Sequence, residues 1–468
     1  MRNMTVKGRL LGATVLAMVL SPLVAGDAYA QAYPRGGRDV TRGTRVLPGA
    51  TGAQELPTGA EDVPRGETVT TRQRPEVIPL GMRVGTFLFY PKLSVAESYD
   101  DNIFRVEEDT DHDFITTISP EFDLRSDWNN HAFNLRGETN IDRYARSSNE
   151  NVEDYSVDAD GRYDITRNIF AFGFLGYSQL SEDRGSPDDA GGIEPTEYKV
   201  YRGSVRYFHQ LNRVSFRLDA GAQKYDFDDV DILVAGVPAT RNNDDRDRIE
   251  SQVALRAAYE IVPEYEAFVR GTVNNRAYRT DLDDPVAGVI PPTVSRDSQG
   301  YEMVAGVAID FTGITFGDFF VGYREQWYDD DNLSTIEGIT GGANITWNVT
   351  PLTTVHAGIV RRVEETTGTF GTRRASGFFA TRYSVSADHE LLRNLLLNAN
   401  VALLNNDYEG IDRTDRIYEV GLSARYLMNR NFYGSIGYKY RQRDRDATLG
   451  DDADYTQNLV TVRVELQM

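Results

Sequence analysis

Side chains able to do acid–base, nucleophilic or metal chemistry are few and scattered along this chain. Five histidines and no cysteine exclude a thiolate nucleophile, a thiolate metal site and disulfides. Only His112, between Asp111 and Asp113, falls in a long polar connection; His131, His209 and His389 fall at short turns, and His356 lies low in an alternating run. A lone histidine between two acids reads as a solvated loop residue, so no catalytic residue and no cofactor is assigned. The acidic runs Glu107-Glu108-Asp109, Asp228-Asp229, Asp244-Asp245, Asp329-Asp330-Asp331 and Asp451-Asp452 offer hard oxygens suited to Ca²⁺. They lack the invariant glycine and closing glutamate of an EF-hand loop, and read as solvated loops. What remains is regularly spaced charge. Arg136, Glu138, Arg162, Arg206, Arg217, Arg256, Arg270, Arg425, Lys439 and Arg463 all stand on the polar side of alternating runs. Such residues bind and hydrate rather than react, and what they do depends on the elements that hold them.

Those elements are strands. In the last run, Val460, Val462, Val464, Leu466 and Met468 alternate with Thr461, Arg463, Glu465 and Gln467, the period-two pattern that puts one kind of residue on each face. Phe133, Leu135, Gly137, Thr139 and Ile141 alternate in the same way with Asn134, Arg136, Glu138, Asn140 and Asp142. About eighteen such runs, with sixteen as the alternative, approach the ~10 residues a tilted strand needs to cross a bilayer. The connections alternate in length. Long ones fall at 100–112, 146–154, 181–197, 226–247, 279–298, 328–335, 364–376, 408–414 and 443–457, and short ones at 126–130, 166–168, 209–213, 260–264, 312–314, 349–352, 388–394 and 427–431. That is the loop pattern of an outer-membrane barrel. Arg or Lys facing lipid near the midplane would cost about 2–4 kcal/mol each, so the charged face must point inward. The longest connection, 226–247, has the length to fold in as a constriction. After the N-terminus no apolar run approaches the ~20 residues of a spanning helix, and a net charge of −21 argues against nucleic acid as a partner.

The N-terminus reads as an export signal. Arg2, Lys7 and Arg9 precede an apolar Leu10–Ala25, and Ala28-Tyr29-Ala30 places cleavage between Ala30 and Gln31. Residues 31–80 hold six of the 17 prolines and show no period. Such a segment buries too little apolar surface to offset its ordering entropy, so it is expected to be a disordered periplasmic segment.

Gly81-Met82-Arg83-Val84-Gly85, Pro91-Lys92-Leu93, Tyr99-Asp100-Asp101-Asn102-Ile103 and Trp128-Asn129-Asn130-His131 resemble the opening of a family of outer-membrane β-barrel porins of type 2. The likeness extends loosely over residues 81–468. It implies an outer-membrane conduit without catalytic residues and, because some members stand beside exopolysaccharide export systems, passage of polysaccharide. The final strand also resembles the C-terminal signal read by the barrel assembly machinery, carried here by Val464, Leu466 and Met468, with Met468 where an aromatic residue is usual.

The sequence therefore predicts an all-β, transmembrane, antiparallel up-and-down barrel over residues 81–468, with both termini periplasmic in the outer membrane of a Gram-negative cell. The expected function is a porin or export channel without enzyme activity. A closed barrel that scaffolds surface polysaccharide is the alternative, and an outer-membrane barrel enzyme a more distant one. Expected partners are outer-membrane lipid and lipopolysaccharide, bridged at the acidic loops by divalent ions, and a periplasmic polysaccharide-export complex met through residues 31–80. Tyr99, Tyr144, Tyr225, Tyr278, Tyr328 and Tyr408 at the long loops, and Tyr163, Phe208, Tyr259, Phe311 and Tyr426 at the short turns, are expected to form two lipid-facing girdles. Tyr177, Trp327 and Tyr433 are candidate stacking platforms for sugar.

Overall fold

The computed structural model describes residues 68–72, 74–186, 189, 191–234, 236–279, 295–311, 313–366, 369–370, 373–447 and 454–468. Its main element is one closed antiparallel barrel. The strands are β1 (Phe87–Asp100), β2 (Asp113–Ser126), β3 (Ala132–Tyr144), β4 (Val152–Thr166), β5 (Ile169–Ser181), β6 (Glu197–Leu211), β7 (Val214–Phe227), β8 (Arg248–Val262) and β9 (Tyr265–Tyr278). They continue as β10 (Ser298–Asp310), β11 (Thr315–Tyr328), β12 (Ile336–Thr350), β13 (Thr353–Glu365), β14 (Gly377–Leu392), β15 (Leu395–Glu409), β16 (Arg413–Leu427), β17 (Phe432–Ala447) and β18 (Tyr455–Gln467). Each pairs with its neighbours in sequence, and β1 pairs with β18 through Leu93↔Leu466, Val95↔Val464 and Tyr99↔Val460. Closure removes both sheet edges, so every strand finds backbone partners on both sides without water, the condition for crossing hydrocarbon.

The two faces divide as the alternation predicts. Leu175, Leu255, Val269 and Met303 lie on the outer surface, while Arg217, Arg256, Glu302 and Lys439 are buried on the inner one. Short turns of two residues, such as 212–213 and 263–264, join strands at one end, with Asn212 and Glu264 taking positive φ. The other end carries the long connections. One expected long loop is short: β15 and β16 run on to leave only residues 410–412, turned by Gly410 at φ 89°. The C-terminal Met468, whose amide donates to the Pro91 carbonyl, lies at the short-turn end.

The aromatic girdles differ from expectation at the long-loop end. Tyr163, Tyr259, Phe311 and Tyr426 do face outward near the short turns, but Phe208 turns inward and stacks on Phe170, with centroids 4.9 Å apart. Near the long loops Tyr99 is exposed, whereas Tyr225, Tyr278 and Tyr408 are buried and Tyr328 donates inward to the Ser376 carbonyl at 2.8 Å. Arginines accompany the reversal. The Arg248 guanidinium lies 4.3 Å from the centre of the Tyr225 ring, and that of Arg413 lies 4.3 Å from Tyr408. Strand phase turns these rings inward, and a cation over the ring face stabilises them there.

Candidate functional site: the barrel interior

All ten charged residues singled out by spacing stand on the inward faces, and the register brings most of them to an opposite charge. Arg206 and Arg217 both reach Asp219, at 2.6 and 2.9 Å. Arg270 reaches Glu302 at 2.9 Å, and Arg425 reaches Glu465 at 2.7 Å. Arg162 pairs with Asp164 at 2.7 Å, and Arg136 with Asp160 at 3.6 Å. Arg256 pairs with Glu266, and Lys439 lies 3.7 Å from Glu419. Glu138 accepts from Asn140 at 3.3 Å. Arg463 lies between Thr461 and Glu465 on the same face of β18. Cross-strand pairing of this kind makes much of the wall an ion-pair lattice, with little net charge where pairs are complete.

One strip departs from that balance. Along β17, Lys439, Arg441, Arg443 and Arg445 all point inward, two residues apart, and run toward the long loops. Only Lys439 was singled out from the sequence. The others were legible as the alternation Lys439-Tyr440-Arg441-Gln442-Arg443-Asp444-Arg445, which gives β17 a wholly cationic inner face in its upper half. Glu419 and Asp415 on β16 are the carboxylates nearest the strip, Asp415 lying 3.3 Å from Arg445 and Glu419 3.6 Å from Arg441.

The connection 182–196 folds onto this strip. It starts from β5, and five strands lie between β5 and β17 on the shorter way round, roughly 29 Å along the wall at ~4.8 Å per strand. Even so, Asp183 lies 3.6 Å from Arg105 and 3.9 Å from Arg441, and the Gly185 carbonyl accepts from Arg443 at 3.2 Å. Gly185 permits the approach, because a Cβ there would come within 3.0 Å of the Tyr455 hydroxyl. Burial raises the Asp183 pKa, but Arg105, Arg441 and the Gly185 amide together outweigh it and hold the carboxyl below its usual range. The loop is fastened on its other side by Glu182 to Arg246 at 2.6 Å, Arg184 to Glu150 at 2.6 Å, and the Ile193 amide to the Asp231 carbonyl at 2.7 Å. The inward-folded segment is therefore this one. The longest connection instead folds on itself as a hairpin, Val230–Val234 against Val237–Arg241, and at its base Arg246 is buried against Glu182.

At the short-turn end the chain upstream of β1 lies along the inner rim. The Val69 amide donates to the Thr354 hydroxyl on β13 at 3.0 Å. Arg72 and Arg74 both reach Glu390 on β14, at 3.0 and 2.6 Å, and Val77 packs with Leu427 and Tyr433. The Tyr433 hydroxyl donates to the Val77 carbonyl at 2.5 Å. Residues 68–72 and 74–77 thus pack on the barrel upstream of the boundary placed at residue 81; Ala30 and Gln31 lie outside the described residues.

The stacking platforms are corrected by the register. Tyr177 sits on the outward face of β5 with Leu175, and Trp327 is exposed on β11; a one-residue shift in strand phase moves a side chain to the other face. Only Tyr433 faces in, and Val77 occupies it. The histidines play structural parts: His131 stacks on Tyr163 at 4.5 Å, and His389 meets Thr353 at 3.0 Å. Several loop acids are answered by cations, as Asp228 is by Lys199 at 2.7 Å and Asp244 by Arg279 at 3.0 Å. Asp451 and Asp452 lie outside the described residues, and Val464, Leu466 and Met468 are exposed on the outer face of β18.

A closed barrel of eighteen strands with an apolar exterior and a charged interior is an outer-membrane β-barrel of the porin-like class. Residues 74–468 match the model of the family described as "Putative beta-barrel porin 2", and the chain belongs to that family. No curated protein matches the chain. Among solved structures, similar barrels include OccK1 (OpdK) of Pseudomonas aeruginosa, at 11% identity and TM-score 0.41 over 81% of this chain and 99% of that one. The siderophore receptor PirA of Acinetobacter baumannii matches at 8% identity and TM-score 0.43, over 81% of this chain and 80% of that one. The ferric citrate transporter FecA in its unliganded form matches at 9% identity and TM-score 0.42, over 84% and 79%.

Proposed function

We propose that this barrel is a passive channel for hydrophilic solutes whose openings are narrowed by its own chain. The carrying observation is the pairing of a charged inner wall with two inserted segments, 182–186 and 68–72 with 74–79, held by ion pairs and local packing. Barrels of sixteen to eighteen strands are wide enough for an aqueous path. Long loops face outward and both termini lie in the periplasm; this orientation is supported by the placement of Met468 and residues 68–80 at the short-turn end. Residues 1–30 direct export, β18 serves the assembly machinery through Val464, Leu466 and Met468, and the acidic loops meet lipopolysaccharide. Polysaccharide is the cargo that the family resemblance suggests, with residues 31–67 available to an export complex.

The test is single-channel conductance of residues 31–468 in planar bilayers, with and without residues 31–80. Small openings that enlarge on deletion support the reading. Silence in both forms overturns it in favour of a closed scaffold. A rise in the release of labelled polysaccharide from vesicles would add the cargo.

A further inference from the structure

The β17 strip and the loop folded onto it form a site in which several buried donor atoms lack a hydrogen-bond partner among the described residues. Arg441 is 2% exposed, and among the described residues its Nε and Nη2 have no hydrogen-bond partner. The Tyr455 hydroxyl, on a side chain also 2% exposed, has none either, nor has Arg105 Nε. The carboxylates near Arg441 approach only to 3.6 Å for Glu419 and 3.9 Å for Asp183, beyond a normal hydrogen bond. Buried donors are expensive to leave unmet, and a guanidinium accepts a planar, two-oxygen partner best.

We propose that Arg441, Arg105 and Tyr455 form a binding site for the carboxylate group of an organic solute, which Asp183 occupies in part as a built-in competitor. When the solute arrives, the Asp183 carboxylate is displaced and the two-oxygen group takes its place between the guanidinium groups. Lys439 below and Arg443 above lie about 7 Å from Arg441 along the strand at ~3.4 Å per residue, so a bound carboxylate has a cation within reach in either direction. No bond is made or broken. The site restricts the channel reading to acidic solutes, yet binding does not require conduction.

The experiment is calorimetric titration of the folded chain, residues 31–468, in detergent micelles with potassium gluconate, with glucose as the uncharged control and inorganic phosphate as a second anion. Gluconate should bind and glucose should not. Arg441→Gln should weaken gluconate binding about tenfold, the loss of one charge-assisted contact. Asp183→Asn should tighten it several-fold by removing the competitor, a gain that general damage to the fold cannot produce. Arg83→Gln, at the exposed pair with Asp127, should change nothing. Equal binding of phosphate and gluconate would overturn the carboxylate assignment. Unchanged affinity in both Arg441→Gln and Asp183→Asn would overturn the site, as would no binding by the wild-type chain. Because the readout is binding, a silent bilayer trace would count against the channel reading alone.

Discussion

The two mouths of the barrel are narrowed by different kinds of chain. At the long-loop mouth, segment 182–196 is tethered at both ends, to β5 and β6, and fastened to Arg246, Glu150, Arg105 and Asp231. At the short-turn mouth, residues 68–72 and 74–79 lead into β1, and Arg72 and Arg74 share the single carboxylate of Glu390. A doubly tethered loop can loosen but not leave. Loss of the Glu390 carboxylate removes two ion pairs of the rim segment at once and leaves the Val69–Thr354, Glu76–Arg393 and Val77–Tyr433 contacts. The first is therefore held by ion pairs to several partners, and the second leans on one carboxylate.

The largest effect should follow from Glu390→Gln. It leaves Arg74 buried without its carboxylate, and removing one partner of a buried pair costs about 3–5 kcal/mol. Trypsin cleavage after Arg72 should then accelerate on the order of 100-fold. Cleavage as slow as in wild type would show that apolar packing, not the pair, holds the segment.

Glu182→Gln strikes the corresponding pair at the other mouth, where Arg246 is equally buried. Because the loop keeps its other fastenings, cleavage after Arg184 should rise only about tenfold. An effect as large as that of Glu390→Gln would remove the distinction between the mouths.

Acid should act on the two mouths in opposite senses. Burial pushes Asp189 up to about 6, against the pull of Arg184, and burial also pushes Asp247 up to about 6, with Asp226 and Asp244 adding to the rise. A carboxyl whose pKa is raised by folding takes up its proton in the folded state, so its contribution to stability grows as pH falls through about 6 and is lost as pH rises. Glu76 is held below its usual value by its hydrogen bond to Arg393. That contribution is present above the ordinary glutamate range and is lost as pH falls below it. Protease protection of the long-loop mouth should therefore increase from pH 7.5 to 5 while residues 68–79 stay unchanged, loosening only in stronger acid. Looser long loops at pH 5 would contradict this sign.

Tyr433→Phe should give the smallest effect. It removes the hydrogen bond to the Val77 carbonyl but keeps the ring against Leu427, a loss of about 1 kcal/mol, seen as a fewfold faster cleavage after Arg72.

Most of the wall was legible in the order of residues. Strand count, the inward placement of the charged positions and all but one long connection follow from period-two alternation and from turn spacing, which are local. The errors share a cause. Tyr177 and Trp327, expected inside, share the outward faces of β5 and β11 with the exposed Leu175 and Phe319, the phase that strict alternation along each strand gives. Tyr225, Tyr278, Tyr328 and Tyr408 lie where a girdle is expected, and strand phase turns them inward.

What the sequence determined by itself is a closed, charged-inside barrel, because hydrocarbon outside and backbone pairing between successive strands leave little choice once the alternation is written. What only the tertiary structure decided is what stands inside it. Asp183 meets Arg441, Gly185 meets Arg443 258 residues away, and Arg74 meets Glu390 316 residues away. No spacing along the chain marks such pairs. They exist because closing the barrel brings distant strands round a common interior, where a buried charge must find an opposite one or remain costly.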